Sequence, residues 1–439
     1  MTGGSGATLS ETAYGLAFGL LLLTPLAIAG VALMNTGLGR SRSAAQSLLG
    51  SLLIVAVAVL VFCVFGSSFA GFGSHAGASL MIAGKAWDWV GHEPILLGGA
   101  GLQDPTTLRA PLMVLLQVLS VGLAAIIPWG SGADRWRTPA ACIATVATAG
   151  VLFPLVAHWV TGAGWLAQLG ANFGLGVGFL DAGSGASVQV LGGLTALCVV
   201  WIAGPRRGKF PKSGVSTAIP GHHVIFVLLG CLLALAGWLA WNAASALIFL
   251  SAPLSTVAWT ALNTLLSASA AVLATFFITR ARFGKPDASL CANGWLAGLV
   301  VSSAAGALVS PGAAIFIGCV AGVITPVLVE VLELGLSLDD PSGGVAVHGV
   351  VGIWGLLAVG LFGRLPAGVG RAGQVLAQTI GISALIGLVF PLTYLLFWLL
   401  DKRVAFRVDR DGERLGMDLH ELGGGAYPEF VVHRDEFQR

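Results

Sequence analysis

Charge is scarce in this sequence. Only 10% of its 439 residues are Asp, Glu, Lys or Arg, whereas 56% are hydrophobic and the mean hydropathy is +0.89. So little charge excludes a water-soluble globule, in which about a quarter of the residues are charged. Sixteen of the 42 charged residues lie in residues 401–439. We therefore expect a transmembrane domain over residues 1–400 and a polar tail over residues 401–439.

Several functional motifs are also missing. The net charge of +2 includes no basic block, which excludes a nucleic-acid-binding surface. The six cysteines lie inside apolar runs without paired ligand spacing, which disfavours disulfides and zinc sites. The sequence has no Walker A, GxSxG or HExxH motif. We therefore predict no enzymatic activity, no metal site and no cofactor.

Eleven apolar runs are long enough to span a membrane. They predict helices near residues 13–35, 45–66, 110–131, 139–159, 184–204, 222–248, 255–279, 289–308, 312–333, 345–363 and 375–400. An odd number of spans puts the termini on opposite sides, and Lys and Arg select the side. With the N-terminus outside, eighteen Lys and Arg face inward and four face outward. The prediction is an all-α integral membrane protein with its N-terminus outside and its C-terminus inside.

An internal repeat links two of these helices. Residues 181–204 align without gaps with residues 340–363, at a constant offset of 159 and with seven identities. The two segments cross the membrane in opposite directions, which indicates an inverted repeat of the kind that binds a transported species near the midplane. The alignment puts Gln189 opposite His348, each about 12 Å into its helix. That depth is near the middle of a hydrocarbon core about 30 Å thick.

The polar residues of these spans are the candidate functional residues. Gln189 and His348 could line a pathway, or could each form an independent hydrogen bond between helices. Asp181 and Asp340 precede their helices, where a carboxylate can cap the first turn; a direct contact with a cation is the alternative. Asn242 lies inside a span and needs a hydrogen-bonding partner there.

Three blocks of the sequence resemble the ammonium transporter and Rhesus protein family. They are residues 221–247, residues 293–362 with the motif LDDPSGGVAVHGVVGIWG, and residues 418–427 with DLHELGGGAY. The resemblance covers most of the chain after about residue 110. It implies eleven helices in a five-plus-five inverted repeat and a homotrimer in the lipid bilayer. It also implies one narrow pore in each subunit for ammonium or ammonia.

The resemblance assigns pore and gate positions, and this chain departs from the family at several of them. His348 occupies the second pore-histidine position, but Gln189 occupies the first. The gate phenylalanines are replaced by Ser120 and Trp241. Glutamine can donate and accept hydrogen bonds but does not titrate near neutral pH as histidine does. A proton relay through two imidazoles is therefore expected to be weakened or absent.

The resemblance also assigns a site that recruits ammonium at the outer mouth. It comprises Thr161, Ser245 and Asp181, and Thr161 stands where the family has a tryptophan. The loss of that aromatic ring removes a cation–π contact with NH4+ of about 1 kcal/mol. Asp340 and Asn242 are expected to support the pore structurally.

The leading hypothesis is an ammonium or ammonia channel in a bacterial inner membrane. One alternative is a non-transporting ammonium sensor or scaffold derived from the family, and another is a Rhesus-like channel for neutral gases. The tail, residues 401–439, resembles the cytoplasmic regulatory segment of the family, which can bind a PII-type signalling protein. A disordered end is the alternative for the tail.

Overall fold

Eleven long apolar helices form the body of the protein. The computed structural model describes residues 9–71, 77–98, 109–212, 214 and 216–427. In these residues the helices that are long and apolar enough to cross a membrane are α1 Glu11–Leu38, α2 Ser41–Ala70, α3 Arg109–Ser131, α4 Thr138–Val160, α5 Gly185–Ala203, α6 Val224–Ile248, α7 Leu254–Phe283, α8 Ala288–Ala305, α9 Pro311–Gly335, α10 Val345–Phe362 and α11 Arg371–Asp401. All eleven predicted spans are confirmed, with bounds that shift by a few residues. The orientation of the termini stays a prediction.

Local sequence explains where these helices begin. The side chain of Asp287 accepts a hydrogen bond from the backbone N–H of Leu290 at 2.8 Å and caps α8. Ser310 caps α9 in the same way, and Pro311 follows at the first helical position. Such caps satisfy backbone donors that have no partner inside the helix, and proline is favoured at that position because it has no N–H.

The helical bundle also carries a β-hairpin that the sequence analysis did not predict. Strands β1 (Gly77–Ile82) and β2 (Lys85–Gly91) pair antiparallel between α2 and α3. The two residues of the turn, Ala83 and Gly84, both have positive φ angles of 52° and 73°, as the tight turns of hairpins require. The turn lacks the Asn-Gly or Asp-Gly pair that signals such hairpins in a sequence, which is why the strands were missed.

The hairpin packs on the C-terminal end of α4 through aromatic side chains. The indole N–H of Trp159 donates to the backbone carbonyl of Trp89 at 2.8 Å, and the backbone N–H of Trp165 donates to that of Asp88 at 2.9 Å. The rings of Trp89 and Trp165 are 5.3 Å apart. This cluster fixes the hairpin to the end of the bundle where Thr161 lies.

The two repeat helices cross in direct contact near the centre of the bundle. A Cβ atom on Gly193 of α5 would collide with the backbone nitrogen of Gly349 of α10. Glycine lets two membrane helices approach this closely. Each helix also begins with a π-helical turn, and these turns are Gly185–Val190 and Val345–Val350.

Residues 402–427 pack across the end of the bundle opposite the hairpin. The backbone N–H of Val408 donates to the carbonyl of Arg135, and the carboxylate of Asp418 accepts from the N–H of Gln46 at 2.7 Å. The segment contains the short helix Arg410–Leu415 and the π-helical turn Asp418–Leu422. These contacts exclude a disordered end for this part of the tail. Residues 428–439 of the predicted tail lie outside the described residues.

Candidate functional site

A hydrogen bond joins the two candidate pathway residues. Nδ1 of His348 lies 2.7 Å from Oε1 of Gln189, and both side chains are almost completely buried. Gln189 is in the π-helical turn of α5, and His348 is in that of α10. Such turns occur often at functional sites. The repeat alignment therefore paired two residues that are in contact, although they are 159 positions apart.

The two predicted capping aspartates have matching geometry. Asp181 accepts hydrogen bonds from the backbone N–H of the fourth and fifth residues after it, both at 2.7 Å. Asp340 accepts from the equivalent two N–H groups, at 3.1 and 2.8 Å. Burial raises the pKa of both carboxyls, and the backbone hydrogen bonds oppose this rise. Both carboxylates therefore act as helix caps, while the recruitment role of Asp181 stays a prediction.

The sequence analysis missed Ser303 of α8, which contacts Gln189, and Trp238 of α6, which contacts Ser303. The indole N–H of Trp238 donates to Oγ of Ser303 at 2.9 Å. The same oxygen lies 3.4 Å from Nε2 of Gln189. Trp238 precedes Asn242 by four residues and so shares its helix face, which was the available signal. The resemblance assigns the gate to Trp241, which is a different tryptophan of α6.

The amide nitrogen of Asn242 has hydrogen-bonding partners, whereas its buried Oδ1 has none in the described part of the chain. Its Nδ2 donates to Oγ1 of Thr264 and to Oγ of Ser302, both at 2.9 Å. Through these bonds α6 is tied to α7 and α8 beside Ser303. The expected role of Asn242 in supporting the pore stays a prediction.

Four of the five gate and recruitment residues are buried, and Thr161 is half-buried. The hydroxyl of Ser120 donates to the carbonyl of Leu116 at 2.7 Å, and Trp241 is 3% exposed. The hydroxyl of Thr161 donates to the carbonyl of Ala157 at 2.9 Å. Oγ of Ser245 is buried and has no hydrogen-bonding partner in the described part of the chain. Their roles in gating and recruitment stay predictions.

A small cavity lies beside His348, towards the end of the bundle that carries residues 402–427. It has room for about one water-sized molecule. Its polar lining comes from three side chains in an otherwise apolar wall. The lining residues are Val31, Met34, Asn35, Leu38, Ile127, Leu296, Ser342 and His348.

Buried charges hold the start of α10 in place. Asp339 accepts hydrogen bonds from the backbone N–H, Nε and Nη2 of Arg206, each at 2.8 Å. Arg206 also donates to Asp134 at 3.1 Å, and Nη2 of Arg135 donates to the carbonyl of Asp339 at 2.7 Å. Burial alone would raise the pKa of Asp339, but the two arginines outweigh it and lower the value to about 2. Desolvation lowers the pKa of Arg135 to about 10.

This network reaches the C-terminal segment. Glu413 is buried and accepts hydrogen bonds from the backbone N–H of Arg207 at 2.7 Å and from Nη2 of Arg407 at 2.9 Å. Arg207 follows Arg206 directly, so the loop that binds Asp339 at the start of α10 also binds the C-terminal segment.

Among the described residues, no group of three His, Cys, Asp or Glu side chains could hold a metal ion.

Comparison with known sequences and structures defines the family. The profile of the Ammonium Transporter Family matches residues 15–427. The chain belongs to this family. Its members are transporters, which act as channels rather than as enzymes.

Similar members of the ammonium transporter family come from archaea. The ammonium transporter Amt2 of Archaeoglobus fulgidus is 34% identical over 93% of this chain and 86% of its own length. The ammonium transporter Amt2 of Haloferax mediterranei is 31% identical over 92% of this chain and 87% of its own length. A solved structure described as a Sensor Amt Protein has a TM-score of 0.84 and 26% identity, over 93% of this chain and 98% of that chain.

Proposed function

We propose that this chain conducts ammonium or ammonia through a pathway that passes Gln189 and His348. The hydrogen bond between these two buried side chains carries the proposal, because it joins equivalent positions of the inverted repeat. In a membrane, buried polar residues that face the bundle interior are typical of substrate pathways. The cavity next to His348 would continue this pathway inward.

The alternatives have less support. A non-transporting sensor or scaffold is not favoured, because the relatives with 34% and 31% identity are ammonium transporters. A Rhesus-like channel for neutral gases would explain the missing aromatic residues. Ser245, however, resembles the serine of the ammonium branch. Its buried hydroxyl lacks a described partner, which supports a role in binding a polar substrate at the outer mouth.

The remaining outer residues complete the proposed route. Thr161 and Ser245 would recruit ammonium together with Asp181, and Ser120 and Trp241 would form the gate below them. Asp181 would act through its cap on α5, since both of its oxygens accept backbone hydrogen bonds. The proton coupling of this route would differ from that of a two-histidine pore, because an amide does not titrate near neutral pH.

Transport can be tested in liposomes. We would record the current after an ammonium jump on a solid-supported membrane and the internal pH by stopped flow. Wild type should transport, and His348→Ala should lose the signal. His92→Ala is the matched control, since His92 is exposed. If folded wild-type protein gives neither a current nor a change of internal pH, the proposal is contradicted. If His348→Ala gives the same signal as wild type, the pathway does not pass His348.

The assembly and the tail are further parts of the proposal. We propose a homotrimer in the inner cell membrane, with residues 401–439 as a cytoplasmic regulatory tail that can bind a PII-type protein. The contacts of Glu413 and Asp418 with the bundle support a coupling between tail and pore. Sedimentation in detergent tests the trimer. Binding of a PII-type protein to the full chain and to a chain lacking residues 418–439 tests the tail, and equal binding would argue against its role.

A further inference from the structure

The hydrogen bond between Gln189 and His348 can exist in two forms. An amide can present either its carbonyl oxygen or its NH2 group, and a neutral imidazole carries its hydrogen on either Nδ1 or Nε2. If the oxygen of Gln189 faces His348, Nδ1 carries the hydrogen and Nε2 is an acceptor. If the NH2 group faces His348, Nδ1 is the acceptor and Nε2 carries the hydrogen. The orientation of one amide therefore sets the chemistry of the free nitrogen of His348.

Ser303 is the neighbour that can select the orientation. Its Oγ accepts a hydrogen bond from Trp238, whose indole N–H can only donate. Its hydroxyl hydrogen is directed to the carbonyl of Leu299, 3.4 Å away. The second lone pair of Oγ is then available to the NH2 group of Gln189, also at 3.4 Å. With both lone pairs and the hydrogen used, Ser303 holds the NH2 group on its own side.

The contact with His348 agrees with this arrangement. The distance of 2.7 Å from Nδ1 to Oε1 lies in the range of N–H···O bonds. A carbonyl oxygen is also the end of the amide that can face both neutral imidazole and imidazolium, because imidazolium has no lone pair. The amide therefore need not turn when His348 gains or loses a proton.

We infer that Ser303, together with Trp238, is a positioning residue that turns the carbonyl of Gln189 towards His348 and thereby keeps Nε2 of His348 a hydrogen-bond acceptor. This inference deepens the proposed function and rests on it for its consequence in transport. Nε2 has no partner among the described residues, and His348 lines the cavity. An acceptor there can take an N–H of NH4+ or of NH3, whereas an Nε2–H group would oppose NH4+, which has no lone pair.

The direct test is the tautomer of His348. Nitrogen-15 NMR of histidine-labelled protein distinguishes protonated from unprotonated ring nitrogens, and His348→Ala identifies the signal. We expect protonated Nδ1 and unprotonated Nε2 in wild type, and a mixture in Ser303→Ala. Ser302→Ala is the matched control, because Ser302 bonds to Asn242 instead. It should leave the signal of His348 as in wild type.

A second variant separates positioning from folding. Gln189→Glu replaces the amide by a carboxylate, which only accepts hydrogen bonds when ionised, so Nδ1 stays protonated whichever way Ser303 points. Ser303→Ala should lower the ammonium-evoked current about fivefold in the wild-type background. In the Gln189→Glu background the same substitution should leave both the current and the Nδ1 signal unchanged.

The outcomes are distinguishable. Wild type with hydrogen on Nε2, or Ser303→Ala with an unchanged single tautomer, would overturn the inference. An equal loss of current in both backgrounds would also overturn it, because a packing defect does not depend on residue 189. If wild type shows the expected tautomer but no current, the proposed transport function fails while the positioning of the amide stands.

Discussion

The two repeat helices, α5 and α10, share a scaffold and differ in chemistry. Each begins with a π-helical turn that an aspartate caps through two backbone N–H groups. At the equivalent position of each turn, however, α5 carries Gln189 and α10 carries His348. The repeat therefore preserves the backbone that presents the side chain, while the side chain itself has diverged.

The surroundings of the two helices differ as well. Gln189 has neutral partners on α8 and α10, namely Ser303 and His348. The start of α10 is instead fixed by Asp339 in a buried ion network with Arg135 and Arg206. The equivalent of Asp339 in the first repeat is Leu180, which has no charge. Charge therefore stabilises the end of the molecule that carries the C-terminal segment, and neutral hydrogen bonds hold Gln189 and His348 in the proposed pathway.

The largest expected effect comes from the ion network. Asp339→Asn would leave the charges of Arg135 and Arg206 buried with only Asp134 nearby, so we expect a loss of about 3–5 kcal/mol in the free energy of unfolding. Glu330→Gln is the control, because its pair with Arg282 at 2.7 Å is exposed and should contribute less than about 1 kcal/mol. Thermal unfolding in detergent measures both, and equal shifts would contradict the asymmetry.

Acid should weaken the same network. The pKa of Asp339 is lowered in the folded protein from 3.8 to about 2. A lowered carboxyl pKa contributes stability that is present above the unfolded value and is lost as pH falls through the folded one. We expect Asp339 to contribute about 2 kcal/mol at neutral pH that disappears between about pH 4 and pH 2. The free energy of unfolding should fall less between about pH 4 and pH 2 in Asp339→Asn than in wild type, because the variant lacks this carboxyl group. An equal fall in both proteins would refute the prediction.

The two caps should be equivalent. Asp181→Ala and Asp340→Ala each remove the two backbone hydrogen bonds that cap the first turn of the helix, and Asp181→Ala also removes a longer one from Gly183 at 3.4 Å. We expect each substitution to cost about 1–2 kcal/mol of stability. Asp287→Ala, which removes the exposed single-bond cap of α8, is the control and should cost about 0.5–1 kcal/mol. Unfolding temperatures of the three variants test the symmetry. A lower unfolding temperature in Asp340→Ala with no change in Asp181→Ala would show that only one repeat depends on its cap.

The smallest effect is expected from restoring the symmetry of the pore. Gln189→His keeps a hydrogen-bonding side chain opposite His348, and such bonds between membrane helices average about 0.6 kcal/mol, so the current should change by about threefold or less. Its dependence on pH should become steeper, because a second group titrates. Currents recorded from pH 5 to pH 8 measure this. Identical pH profiles in wild type and Gln189→His would remove residue 189 from the proton pathway.

Part of the site was predictable from the sequence. The offset of 159 residues paired Gln189 with His348, and the position of each aspartate before its helix predicted the caps. Ser303 of α8, which contacts Gln189, and Trp238 of α6, which contacts Ser303, were not predictable in this way. No local pattern states which faces of distant helices meet. The same holds for the contacts of Glu413 and Asp418, which join the tail to the loop of Arg207 and to the start of α2, each more than 200 residues away.

The sequence by itself determined that the protein lies in a membrane, how many helices span it and that two of them form an internal repeat. These follow from hydropathy, from helix length against bilayer thickness and from self-similarity, all of which are properties of the chain read in order. Tertiary structure decided which way the amide of Gln189 turns and which carboxylate, that of Asp339, binds the two buried arginines. It also decided where the hairpin packs. Each of these depends on atoms that distant segments bring within about 3 Å, so only the packed helices could decide them.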